Sequence, residues 1–217
     1  MQLQSHDMPT HPDVIDVDAS SHDEGPAAAP PALVSTAALC KAAQRKKRST
    51  AGKGDCLLYA FEGAGTAAGL SPHGATKPKA AAWLREAIAG RASAHRAAMD
   101  ASPGVWQRTG RTTRRGPTGP SPSTAAAYGA FVGRPSEWCT HFDVALLAEL
   151  LAAESDDGPA RRLIVLDAAA GQPRHHHAPS AAWCLVPCSA VAPEDVSDLD
   201  VVIGLDADLH WWATAPL

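Results

Sequence analysis

Apolar positions fall into two regimes along the chain, an unpatterned stretch up to about residue 50 and a periodic one after it. Leu57, Leu58, Ala60 and Phe61 follow the glycine-rich turn Gly52-Lys53-Gly54-Asp55-Cys56. They read as the buried side of a short helix that starts at Cys56 and stops around residues 63 to 65, where glycines recur. Trp83, Leu84, Ala87 and Ile88 make a stripe at helical spacing and predict a helix over 79–100. Thr140 with Asp143 makes a capping box, and Phe142, Leu146, Leu147, Leu150 and Leu151 behind it form one wide apolar helix face. Short β-type runs follow at Leu163 to Leu166, Trp183 to Val186, Val201 to Leu205 and Leu209 to Trp212. Helices first and strands later predict an α+β fold, a small β-sheet flanked by helices.

Composition sharpens the boundaries. The first 49 residues hold no aromatic side chain and are rich in Pro, Ala, Ser and Asp, which cannot bury enough surface to offset the entropy of ordering. The expectation is a disordered tail over 1–49 and one domain over 50–217, with a flexible loop at 102–124 where Gly, Pro, Ser, Thr and Arg predominate. Much of the 45% apolar content is alanine, so the core must lean on large residues such as the six Trp. No window approaches the ~20 apolar residues of a membrane span, and the acidic N-terminus lacks a hydrophobic stretch, so an intracellular protein, cytoplasmic or nuclear, is expected. Five Cys, an odd number without framework spacing, fit a reducing compartment.

Charge separates along the chain. Residues 77–134 carry ten Lys or Arg against two acids, a balance of +8, whereas residues 135–217 carry thirteen acids against three Arg, a balance of -10. Opposed regions of this kind argue against the uniform basic face of a nucleic-acid binder. In the tail, Val14-Ile15-Asp16-Val17-Asp18, followed by Ser20, Ser21, Asp23 and Glu24, is a β-prone run with an acidic flank. Such a segment can add as a strand to a partner's sheet edge, and it resembles a SUMO-interacting motif. Arg45-Lys46-Lys47-Arg48 resembles a one-part nuclear import signal on exposed chain.

Two residues carry the candidate chemistry. A cysteine at a helix start meets free backbone N–H groups and the positive end of the dipole, which favour the thiolate a nucleophile needs, and this places Cys56. The turn Lys53-Gly54-Asp55 before it can aim N–H groups at a developing oxyanion. Near the C-terminus, His210 lies on a predicted strand whose same face carries Asp208 and Trp212. A helix-start Cys paired with a distant His is the arrangement of cysteine hydrolases, with His210 as base. His175-His176-His177, Cys184 and Cys188 supply zinc-ligand types, but three consecutive His on extended chain cannot converge on one ion, so neither metal nor cofactor is expected.

With these residues in place, the chain resembles the ovarian tumour (OTU) family of deubiquitinating cysteine proteases over roughly residues 50–217. The likeness rests on Gly54-Asp55-Cys56-Leu57-Leu58-Tyr59-Ala60, Leu84-Arg85 in the next helix, Glu137-Trp138 before Phe142-Asp143-Val144-Ala145-Leu146-Leu147-Ala148, and His210-Trp211. It implies a papain-like fold, cleavage of isopeptide bonds at the C-terminus of ubiquitin or a relative, Cys56 as nucleophile and His210 as base. Lys53 stands where the family usually has Asp, and Trp212 where a polar residue often follows the histidine, so the usual imidazole orienters are missing. Asp208 is the candidate replacement; the alternative is a catalytically weak or inactive module that binds ubiquitin or SUMO. Under the hydrolase reading, Glu137, Asp143, Asp206 and Asp208 are expected to form a negative channel for the basic ubiquitin tail.

Overall fold

Alternation along three short strands divides the core in two. On β2 (Leu163–Asp167), β5 (Val201–Leu205) and β6 (Trp211–Pro216), residues Leu163, Val165, Val201, Ile203, Leu205 and Trp211 enter one apolar cluster, and Ile164, Leu166, Val202 and Trp212 enter another. The computed structural model that gives this arrangement describes residues 34–51, 54–101, 122–135, 137–139, 141–154, 160–179, 188–206 and 210–217. Three further strands, β1 (Arg45–Arg48), β3 (Gln172–His176) and β4 (Cys188–Ala190), complete a six-stranded sheet of order β1-β6-β5-β2-β3-β4. Its neighbours run antiparallel except β2 and β5, which are parallel. The α+β class expected from the sequence is the class observed.

Helices cover both faces. On the first lies α2 (Cys56–Ala67), packed on β5 and β6, backed by α3 (Lys77–Ala94), α4 (Arg96–Ala101), α5 (Ala125–Val132) and α6 (His141–Glu154). Phe142, Leu146, Leu147, Leu150 and Leu151 are all buried there, as their spacing predicts. Each such side chain contributes about 1.5–3 kcal/mol by leaving water, so this larger cluster dominates stability. On the second face, α1 (Thr36–Ala42) places Leu39 and Cys40, with Ala43 behind them, against Trp212. The Trp212 ring lies flat across β5 at Gly204, where a methyl group would overlap its atoms, so that position admits glycine alone.

Several expectations are corrected. Residues 34–48, assigned to the unstructured tail, are part of the fold. The run Arg45-Lys46-Lys47-Arg48 is not unstructured chain but an edge strand, registered from Arg45 opposite Pro216 to Arg48 opposite Ala213, with Arg45 buried and the other three exposed. It carries no apolar period; partners hold it instead. The Arg45 guanidinium is buried and donates to the Ser197 carbonyl, and Lys47 pairs with Asp206 at 2.9 Å and sits 4.8 Å over the Trp212 ring. Helix α2 does not stop at residues 63 to 65. Gly63 faces Ala213 and Gly65 faces Leu70, so these glycines allow close packing; the helix ends at Ala67, with Gly69 in the left-handed conformation at φ 85°.

The predicted 79–100 helix is two, α3 and α4, divided at His95. The last strand starts at Trp211 rather than at residue 209. Strand β3 escaped sequence reading because Gln-Pro-Arg-His-His has no β-type pattern; a turn capped by Asp167, whose carboxylate accepts the Ala169 N–H at 2.9 Å, folds it back onto β2. Thr140, residues 102–121, the run Trp183 to Val186 and the tail residues Val14, Ile15, Asp16 and Val17 lie outside the described residues.

Candidate active site

Cys56 opens α2, as its glycine-rich approach predicts, and Gly54 takes the left-handed conformation at φ 87° that the tight turn requires. Asp55 occupies the capping position yet makes no capping bond, because its carboxylate is engaged elsewhere. Arg85, 3% exposed on α3, reaches Asp55 through Nε at 2.8 Å and through Nη2. The same guanidinium donates to the carbonyls of Val132 at 2.7 Å, Glu137 at 2.6 Å and Gly54 at 3.4 Å. One planar fork therefore joins the turn before Cys56 to the end of α5 and to the segment leading into α6. Of the three turn residues named from sequence, Gly54 and Asp55 are held this way, and Lys53 lies outside the described residues.

The sulfur of Cys56 is covered: the residue is 3% exposed. Burial pushes its thiol above the ordinary value, against backbone N–H groups of Trp211, Leu57 and Cys56 itself that favour the thiolate, and the Asp55 charge adds to the upward shift. This corrects the expectation that the helix start alone yields a thiolate. Desolvation exceeds the dipole here, so ionisation needs a base. Cys56 and Trp211, the first residue of β6 and next in sequence to the half-buried His210, lie in the same buried cluster.

His210 does not stand on the strand beside Trp212. It precedes β6, where its carbonyl accepts the Asp206 N–H at 3.1 Å, while Trp212 is fully buried on the α1 side. Its imidazole meets Thr50: Oγ1 lies 3.3 Å from Nε2, and the same hydroxyl bonds the Trp211 carbonyl. A hydroxyl has one hydrogen, and the carbonyl can only accept it, so toward Nε2 Thr50 can only accept. That geometry places the imidazole hydrogen on Nε2 and leaves the Nδ1 lone pair as the proton acceptor. Thr50 was missed from sequence; continuing the β1–β6 register two residues past Arg48 and Ala213 sets Thr50 opposite Trp211, but that register was not legible in a stretch assigned to the tail.

The expected acidic channel is not built from the residues named for it. Asp143 is 1% exposed and accepts a 2.6 Å hydrogen bond from the Tyr128 hydroxyl, and Glu137 is buried. Asp206 takes Thr36 Oγ1 at 2.7 Å, Lys47 Nζ at 2.9 Å and Trp212 Nε1 at 2.9 Å. Burial raises its pKa, but these donors together outweigh burial and hold the carboxylate below its ordinary range. It locks the hairpin that carries His210. Asp208, the candidate orienter, and Cys184 lie outside the described residues. Alternation puts His176 on the opposite sheet face from His175 and His177, whose rings are 4.1 Å apart. Among the described residues no group of three or more His, Cys, Asp or Glu is gathered to hold a metal ion.

A cysteine thus opens a helix packed on the antiparallel strands β5 and β6, and a histidine immediately precedes β6. The chain is similar to a solved structure of an OTU deubiquitinase from Wolbachia pipientis wMel bound to ubiquitin, with a TM-score of 0.51 and 15% identity over 80% of this chain and 96% of that one. The fold resembles the OTU deubiquitinase fold. No protein-family model matches the chain, and no curated protein does.

Proposed function

We propose that the chain is a thiol-dependent deubiquitinase, with Cys56 as nucleophile and His210 as base. The observation that carries this reading is the packing of α2, which Cys56 opens, against β6, which His210 immediately precedes, with the His210 ring 3.3 Å from the Thr50 hydroxyl. The likeness to a deubiquitinase fold supports it. In the reaction, His210 Nδ1 takes the Cys56 proton, and the thiolate attacks the carbonyl carbon at the modifier's C-terminal glycine. The turn before Cys56, whose Gly54 carbonyl and Asp55 carboxylate are braced by Arg85, is the proposed source of N–H donors to the oxyanion. The imidazolium then protonates the departing lysine amine, and water, deprotonated by His210, hydrolyses the thioester to release the modifier and restore the thiol. Thr50 is a positioning residue: it acts through His210.

The buried, un-ionised thiol favours a second reading, a module that binds ubiquitin or SUMO without cleaving it. Ubiquitin carrying a C-terminal alkyne separates the two. The hydrolase forms a covalent adduct, visible as a mass increase and absent in Cys56→Ser; a protein that binds ubiquitin by calorimetry yet forms no adduct is the module. A panel of diubiquitins and a SUMO-conjugated substrate then assigns the modifier.

A further inference from the structure

Beside the site lies a groove of about 340 Å³ between the end of β1, the outer face of α2 and the turn entering α3. Thr50 lines it, and Tyr59 borders both this groove and a second hollow of about 230 Å³ lined by Asp55 and Arg85. The groove thus adjoins the residue that contacts His210 and the hollow at the Cys56 turn. Three charged side chains line it: Arg48, Lys77 and Glu62. Glu62 is already satisfied, its Oε1 accepting the His73 N–H at 2.9 Å and its Oε2 lying 2.6 Å from His73 Nδ1. Arg48 and Lys77 are exposed and make no ion pair among the described residues. Uncompensated charge in the groove is positive.

Resting on the hydrolase reading, we propose that this groove holds an acidic stretch of the protein from which the modifier is removed, next to the modified lysine. The tail of ubiquitin carries arginines before its terminal glycines, so Arg48 and Lys77 repel that side of the scissile bond and suit carboxylates on the other. A groove of this volume seats about two extended residues, and Ser49 and Thr76 offer hydroxyls to their backbone.

The test pairs two substrates and one double variant, Arg48→Glu with Lys77→Glu. Both positions are exposed, and a glutamate in the first turn of α3 suits the helix dipole, so the variant keeps the fold. Ubiquitin joined through its C-terminus to a small fluorogenic amine has no flanking chain, and wild type and variant are expected to cleave it equally. Ubiquitin joined to the lysine of a peptide flanked by glutamates is expected to be cleaved with roughly three- to tenfold lower KM than the same peptide flanked by lysines, a preference that the variant inverts and that high salt erases. Equal KM for the two peptides in wild type overturns the proposal. So does a change in cleavage of the fluorogenic amide in the variant, which assigns the groove to the modifier instead. If wild type cleaves no substrate, the hydrolase reading fails, and binding of the free glutamate peptide still decides what the groove accepts: NMR shifts at Arg48 and Lys77 in wild type, with binding lost in the double variant, support an acidic occupant, and no shifts in wild type overturn it.

Discussion

The Thr50 hydroxyl lies 3.3 Å from Nε2 of His210 while bonding the carbonyl of Trp211, which makes a threonine at the end of an edge strand the fixed neighbour of the imidazole. Trp212, two positions after the histidine, is fully buried under α1, so the polar contact to the imidazole comes from the chain that follows β1.

Thr50→Val keeps shape and removes the acceptor. It is expected to lower kcat for a fluorogenic ubiquitin amide about 10- to 100-fold, with little change in KM, because a misoriented base affects the transition state and not binding. Thr50→Ser restores most of the rate. The serine rescue distinguishes orientation from packing, since it returns the hydroxyl without the lost methyl group. Unchanged kcat in Thr50→Val removes the role.

Arg85 gathers a carboxylate and three carbonyls behind the turn before Cys56. Arg85→Ala leaves the Asp55 charge and buried carbonyls without their donor, a change expected to cost about 3–5 kcal/mol of stability, read from the urea midpoint. Arg85→Lys, which keeps the charge but not the fork, is expected to recover about half of that while still reacting slowly with the ubiquitin alkyne. If Arg85→Lys reacts as fast as wild type, the charge alone suffices and the fork has no part in shaping the turn.

How much of this was legible in sequence depends on where each residue's instructions lie. The start of the helix at Cys56, the leucine face of α6 and the strand Val201–Leu205 follow from local periodicity, and each forms where expected. Strand β1 does not, since Arg-Lys-Lys-Arg has neither period nor apolar content; its pairing is written in Trp212, Asp206 and Ser197, more than 150 positions away. Thr50 was hidden for the same reason. The glycines of α2 read as stop signals although they serve contact with Ala213 and Leu70, a meaning that exists only once β6 and the following turn are in place. Cys56 was identifiable from its helix start, but its protonation depends on burial, which no local pattern encodes.

His73 joins three elements and gives the fold a pH dependence. Its Nδ1 lies 2.6 Å from Glu62 on α2, its Nε2 lies 2.9 Å from Glu154 at the end of α6, and its ring stacks 4.5 Å from the otherwise exposed Trp83 of α3. The Glu154 hydrogen bond, acting against burial and joined by Glu62, raises the imidazole above its ordinary value of 6.5. A raised folded-state pKa means that native protein holds a proton the unfolded chain has released, so this stabilisation is complete below pH 6.5 and fades as pH climbs through the folded value. Across that window the unfolding free energy is expected to fall by up to about 1.4 kcal/mol per pH unit, the slope for one proton. Urea melts at successive pH values read this slope directly. His73→Gln should be less stable at pH 6 and flatten the slope above it, and Glu154→Gln should narrow the window from its upper end. A wild-type slope that His73→Gln leaves intact assigns the pH dependence to other groups and removes His73 as its source.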